Sequence, residues 1–108
     1  MEQAMFSLAD KAIVVTGGTG ILGDSFINGI VAAGGAVGIL GRNAQVAHER
    51  AAAIEQKGGK AVALVADVLQ ADQLEKARET MVAAFGKIDG LVNAAGGIMP
   101  QGVLQPHH

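Results

Sequence analysis

Short apolar runs alternate along this chain with longer segments in which apolar positions recur at helical spacing. Residues 12–16, Ala-Ile-Val-Val-Thr, form an unbroken apolar run that suits a strand covered on both faces. Ile21, Leu22, Ser25, Phe26, Gly29, Ile30 and Ala33 then recur three and four residues apart. They predict a helix from 21 to about 34 with these small and apolar residues as its packed face, closed by Gly34-Gly35. The pattern repeats with a strand over 36–40, an alanine-rich helix over 44–56 closed by Gly58-Gly59, and a strand over 60–66. A helix over 72–85 follows, with Leu74, Ala77, Met81 and Phe85 as its buried stripe and Gly86 at its end. A strand over 88–94 is the last regular element, and Gly96-Gly97 opens a stretch of loop composition that continues to His108.

Strands separated by helices of this length form right-handed crossovers and a parallel sheet. The first two crossovers place strand two beside strand one and strand three outside it. Returning strand four to the other side of strand one gives the order 3-2-1-4, the first part of a Rossmann-type doubly wound α/β fold. Residues 1–97 are expected to form this half-domain, and 98–108 a loop or tail. The point where the strand order reverses lies between strands one and four.

The turn at that point carries the most chemistry. Gly18, Gly20 and Gly23 have G-x-G-x-x-G spacing between a strand and a helix. There the early glycines allow a tight turn and close approach to a pyrophosphate, and the last lets the helix pack against the strand. The N–H groups and positive dipole end of the helix then favour the phosphate charge. A phosphate loop of the G-x-x-x-x-G-K-[ST] kind is excluded, because Asp24 and not Lys follows Gly23. The plain alternative is a structural turn, but glycines opening a helix cost stability unless the backbone needs them.

Composition narrows the classes further. Half of the 108 residues are apolar, enough for a packed core, and aromatics are only 3%, as a helix-covered parallel sheet rich in Ala, Val, Ile and Leu would have. A net charge of −2 with no basic stripe argues against nucleic acid as a partner. No apolar run is long enough to span a membrane. The short apolar start with Glu2 does not read as a secretory leader. The absence of cysteine removes disulfides and thiolate chemistry and fits a cytoplasmic protein. No metal site is expected. His48 reads as a solvated helix residue, and the adjacent His107 and His108 have no companion ligands in sequence.

Four motifs in this order make the chain resemble the short-chain dehydrogenase/reductase superfamily. They are Thr16-Gly17-Gly18-Thr19-Gly20-Ile21-Leu22-Gly23, Leu40-Gly41-Arg42-Asn43, Ala66-Asp67-Val68 and Leu91-Val92-Asn93-Ala94-Ala95-Gly96. The second and fourth also resemble the mannonate/fructuronate-type sugar-acid oxidoreductases of that superfamily. Two departures stand out. The superfamily's T-G-x-x-x-G-x-G would have glycine where Ile21 stands, and its N-N-A-G reads here Asn93-Ala94-Ala95-Gly96.

The resemblance implies an NAD(P)-dependent oxidoreductase. A hydride would pass between a nicotinamide dinucleotide and a small carbonyl or alcohol substrate, a sugar acid in the narrower match, in a parent that forms homo-oligomers. It implies that residues 16–23 hold the pyrophosphate and adenosine ribose. Asp67 would accept from the adenine amino group, and Val68 N–H would bond the ring. Asn93, Ala94, Ala95 and Gly96 would line the ribose and the floor under the nicotinamide. The plain alternatives are a turn or cap role for Asp67 and a strand-tying amide for Asn93. Arg42 and Asn43 follow strand two, where NAD sites place an acid and NADP sites an Arg. Gly41 fills the acid's place, so NADP is favoured, with NAD the alternative.

The superfamily's proton-transfer chemistry resembles a Ser-Tyr-Lys general-acid arrangement. Tyrosine is absent from this chain, and Ser7 and Ser25 are its only serines, with Ser25 expected to pack on helix one. No catalytic residue is therefore assigned. The chain reads as the cofactor-binding part of an oxidoreductase, expected to be inactive by itself and to leave strand four as an unpaired edge. The rival reading is a non-catalytic dinucleotide-binding sensor or interaction module on the same fold.

Overall fold

A computed structural model describes residues 7–94. Strand β1 (Ala12–Thr16) leads into helix α1 (Ile21–Ala32), followed by β2 (Ala36–Gly41), α2 (Ala44–Gln56), β3 (Ala61–Val65), α3 (Ala71–Phe85) and β4 (Gly90–Asn93). The strands form one parallel sheet in the order β3-β2-β1-β4, as the alternation of elements predicts. Thr16 lies beside Leu40 on one flank and Asn93 on the other, so the carboxyl ends of three strands meet there.

Side chains alternate across the sheet and build two cores. On one face Val15, Val37, Ile39 and Ala61 pack against Ile27 and Ile30 of α1 and Ala47, Ala51 and Ile54 of α2. On the other, Val14, Leu40 and Leu64 pack against Ala77 and Met81 of α3. Helices on both faces follow from chain direction: the crossovers β1-α1-β2 and β2-α2-β3 step one way, and β3-α3-β4 steps back. Gly38 makes the second core possible, since a Cβ there would lie 2.6 Å from the Met81 sulfur and 2.7 Å from Leu64 Cδ1.

The glycine pairs end α1 and α2 in the same way. Gly34 and Gly58 take positive φ, +93° and +89°, and donate to Val31 O and Glu55 O. Gly35 and Gly59 donate to Ile30 O and Ile54 O at 2.9 Å each, completing two Schellman motifs. The second glycine of each pair is required by its isoleucine: a Cβ on Gly35 would meet Ile30 Cγ2 at 2.9 Å, and one on Gly59 would meet Ile54 Cγ2 at 2.6 Å.

The faces of two helices differ from the sequence expectation. In α1 the buried residues are Gly23, Ile27 and Ile30, while Ile21, Leu22 and Phe26 are exposed, as are Ser25 and Gly29. The close approach of Gly23 to the preceding turn rotates the helix, so its outer face carries the apolar residues that the periodicity places inside. Ser25 consequently has no packing role. In α3, Ala77 and Met81 are buried as expected, but Leu74 is exposed and Phe85 half-buried, because the helix meets the sheet through its middle.

Strand β4 is shorter than the predicted 88–94, beginning at Gly90, and Asp89 just before it is bonded to the start of β1. Asp89 Oδ2 accepts from Ala12 N–H at 2.7 Å, and Asp89 N–H donates to Ala12 O at 2.7 Å. Lys87 Nζ lies 3.3 Å from the same carboxylate oxygen. Strand β4 pairs only with β1 among the described residues, and its Leu91 is exposed.

The Ala12 N–H holds the Asp89 carboxyl below its ordinary range, with Lys87 and Lys11 adding to the effect. The unfolded chain therefore binds the proton first as pH falls through the usual carboxylate value of about 3.9. Stabilisation is full above that value and is lost as pH falls through the lower folded one. Asp89→Asn is expected to lower the thermal midpoint by a few degrees at neutral pH and to shrink the further loss on acidification. Melting curves between pH 7 and pH 3 check this, and an equal acid loss in both proteins would contradict it.

Candidate functional site

The glycine turn sits at the carboxyl end of the sheet, and its glycines have different tasks. Gly17 turns the chain with φ +71°. Gly18 N–H donates to Leu40 O at 2.9 Å, which ties the turn to β2, and Gly20 N–H closes a tight turn on Gly17 O at 3.0 Å. A Cβ at Gly18 would meet Ile39 Cγ2 at 2.9 Å and Val15 O at 3.0 Å. One at Gly23 would meet Gly18 Cα at 2.7 Å, together with Gly17 O, backbone on both counts. Gly18 and Gly23 therefore let turn, strand and helix close on one another. Gly20 is different: its φ of −93° and ψ of −177° are open to any residue, and a Cβ would meet only Gly17 O, at an ordinary 3.4 Å.

Because the N–H groups of Gly18 and Gly20 are bonded to Leu40 O and Gly17 O, the free donors lie elsewhere. Gly20 is the N-cap of α1 and makes no side-chain cap. The first helical bond runs from Asp24 N–H to Gly20 O at 3.3 Å. Among the described residues, no acceptor meets the N–H groups of Thr19, Ile21 or Leu22. Uncapped donors at the positive end of a helix are an anion-binding arrangement. They border a cleft of about 600 Å³ whose walls include Thr19, Gly20, Arg42, Asp67, Val68 and Ala94. Ile21 and Leu69, also at its edge, are 89% and 84% exposed, leaving apolar surface for a ring system.

The remaining sequence candidates divide by location. Arg42 is exposed on the cleft wall, with no hydrogen bond or ion pair to another described residue. Asn43 does not line the cleft; its Oδ1 accepts from Val46 N–H at 3.1 Å as the N-cap of α2. Asp67 does both. Its Oδ1 accepts from Leu69 N–H at 2.9 Å, the turn role weighed for it, while the residue faces the cleft. Gln73 Oε1 holds Asp67 N–H at 2.8 Å. Thr16 Oγ1 donates within 3.1 Å of Asn93 Oδ1 and 3.3 Å of Val92 O, so Asn93 does tie β4 to β1. Ala94 N–H donates to Thr16 O at 2.9 Å, and Ala94 is buried against the cleft. Ala95, Gly96, His107 and His108 lie outside the described residues.

Sequence reading missed Leu40, Ala66 and Leu69 on the cleft wall and, behind it, Arg50. The Arg50 Nη1 donates to Gly18 O at 2.5 Å and to Gly20 O at 2.7 Å. A signal was present: Arg50 falls beside Ala47, Ala51 and Ile54 on the buried stripe of α2, where a charge needs a partner. His48 is exposed, as expected of a solvated residue. No helix among the described residues is long and apolar enough to cross a membrane.

Comparisons with known proteins agree with this geometry. The family model described as short chain dehydrogenase matches residues 11–107. The uncharacterized oxidoreductase UxuB of Bacillus subtilis is 38% identical over 97 residues, 90% of this chain and 35% of that protein. The chain thus spans about a third of the length of the curated relatives it matches. A solved dehydrogenase/reductase from Sinorhizobium meliloti is 41% identical, with a TM-score of 0.76 over 83% of this chain and 36% of that one. A putative D-mannonate oxidoreductase from Haemophilus influenza, solved with bound NAD, is 31% identical, with a TM-score of 0.79 over 90% of this chain and 35% of that one. With the parallel order β3-β2-β1-β4 and the glycine turn at its reversal point, these matches make the chain a member of the short-chain dehydrogenase family.

Proposed function

We propose that the cleft holds the adenosine and pyrophosphate portion of NADP. The chain would then serve an oxidoreductase that moves a hydride between the nicotinamide and a carbonyl or secondary alcohol of a sugar acid. The observation that carries this reading is the set of N–H donors at Thr19, Ile21 and Leu22 left without an acceptor beside an open cleft. A pyrophosphate supplies the acceptors and the charge that such a site lacks. When bound, the dinucleotide supplies the hydride; the residues of this chain bind and orient it.

The other contacts fit the same ligand. Asp67 uses Oδ1 within its own turn, and Oδ2 has no partner among the described residues, which suits an amino group of adenine. Val68 N–H takes the ring, and Val68 and Leu69 offer it apolar cover. Asn93, Ala94, Ala95 and Gly96 take the ribose and the nicotinamide floor. Arg42, with no partner among the described residues, suits the 2′-phosphate of NADP. The sugar-acid assignment is supported by likeness to the putative D-mannonate oxidoreductase. That relative carries NAD.

Gly20 gives a clean test of the site, since a side chain there is open to the fold and closed to the ligand. Gly20→Val should stay folded, at the modest cost of a poorer N-cap, and weaken NADP binding about tenfold or more, because it fills the pyrophosphate's space. Calorimetric titration of the folded variant with unchanged affinity would move the dinucleotide elsewhere.

Arg42→Ala separates the two cofactors. Loss of a charge-assisted bond costs about 1.5–3 kcal/mol, so NADP should bind about tenfold or more weakly and NAD nearly as before. Equal losses for both would rule out a contact between Arg42 and the 2′-phosphate.

A further inference from the structure

Arg50 lies on α2, on the far side of the glycine turn from the cleft. Its side chain is 25% exposed and borders the groove between α1 and α2 with Asp24 and Asn28. One nitrogen, Nη1, reaches both Gly18 O and Gly20 O, and Nε lies 3.8 Å from Asp24 Oδ1. The two carbonyls belong to the peptide units that carry Thr19 N–H and Ile21 N–H. In a planar trans peptide the C=O and N–H point in opposite directions. A guanidinium that fixes both carbonyls therefore turns both N–H groups away from itself, toward the cleft that Thr19 and Ile21 line.

We propose that Arg50 is a positioning residue of the dinucleotide site, holding two alternate peptide units of the glycine turn with their donors facing the pyrophosphate. The assignment rests on the reading of the cleft given above. Charge-assisted bonds to the carbonyl ends also polarise the two peptides, which strengthens the opposite N–H as a donor. The device suits this turn in particular. Gly20 N–H is spent on Gly17 O and Gly18 N–H on Leu40 O, so the alternate peptides have to supply the donors. In this turn of four residues with three glycines, Gly18 O has no other donor among the described residues to fix its peptide plane, and Gly20 O has only Asp24 N–H besides. Asp24 keeps the guanidinium in place from the first turn of α1 and, lying on the groove side, sets its own charge behind the turn.

The test uses the 108-residue chain with ADP and adenosine as ligands, which differ only in the diphosphate. Arg50→Met should weaken ADP about tenfold, as loss of an outer support for a binding group does, while adenosine affinity stays within about twofold. Arg50→Lys, which keeps the charge but ends one atom short of Nη1, should recover part of the ADP affinity. The amide resonances of Thr19 and Ile21 should shift in the methionine variant, with the thermal midpoint recorded alongside. A parallel loss for ADP and adenosine would reduce Arg50 to a fold-stabilising contact. Unchanged ADP binding in Arg50→Met, with Gly20→Val still blocking ADP, would overturn the role of Arg50 and leave the site reading intact. Failure of the unaltered chain to bind ADP at all would overturn both. If Arg50→Met does not fold, the lysine variant decides: ADP affinity equal to that of the unaltered chain, with unmoved Thr19 and Ile21 amides, counts against the proposal.

Discussion

Everything at the working end of this sheet depends on how closely α1 can approach the strand that precedes it. The first turn of the helix lies directly on the peptide planes of Gly17 and Gly18, and Gly18 in turn lies on Ile39 of the neighbouring strand. The contact of Gly23 with the turn is backbone on backbone, so no rotamer change can relieve a side chain placed there, and Gly18 is closed in by Val15 O as well as by the Ile39 side chain. The turn is thereby held against β2 through Gly18 N–H and Leu40 O. The donors of the helix start are brought over the carboxyl ends of β1 and β2, and the cleft is a consequence of that closure.

The element order was legible because each signal was local and repeated. Apolar runs bounded by glycine gave the strands, and Gly34-Gly35 and Gly58-Gly59 marked helix ends that the structure closes with the same pair of bonds. The face of α1 was not legible for the opposite reason. Its apolar residues are spread around the helix, and a periodicity count favours the side with more of them. The face that packs is chosen by Gly23, a residue with no side chain to count, through its contact with the turn. Tertiary closure outranked amphipathicity there, and Ile21, Leu22 and Phe26 were left outside. In α3 the periodicity was right and only its extent was overstated, since Leu74 lies beyond the part of the helix that meets the sheet.

At the site, neighbours in a sequence motif are not all neighbours in the cleft. Asp67 does face the cleft, yet one of its oxygens already serves its own loop. Asn43 is adjacent to Arg42 in sequence, but its side chain is committed to capping α2 and leaves the cleft wall to its neighbour. Short polar side chains before a helix compete for exposed N–H groups, so motif adjacency overestimates how many of them remain for a ligand. Arg50 shows the complementary error. A motif search looks along the turn, while the side chain bonded to its carbonyls comes from a helix 30 residues later in sequence.

The absence of an acid after β2 has a physical partner within the turn. A Cβ at Gly41 would lie 2.5 Å from Thr19 Oγ1, 2.7 Å from its Cγ2 and 3.1 Å from its Cβ. Threonine is branched at Cβ, so every χ1 rotamer keeps at least one of these two atoms toward Gly41, and Thr19 Cβ stays close in all of them. Gly41 is thus held to glycine by Thr19, and an aspartate could enter at 41 only if residue 19 became smaller or the turn moved away from β2. Such a movement would break the bond from Gly18 N–H to Leu40 O that seats the turn. Arg42 is therefore left as the charged residue on that wall of the cleft, because the turn that would bind the pyrophosphate occupies the space an acid at position 41 would need.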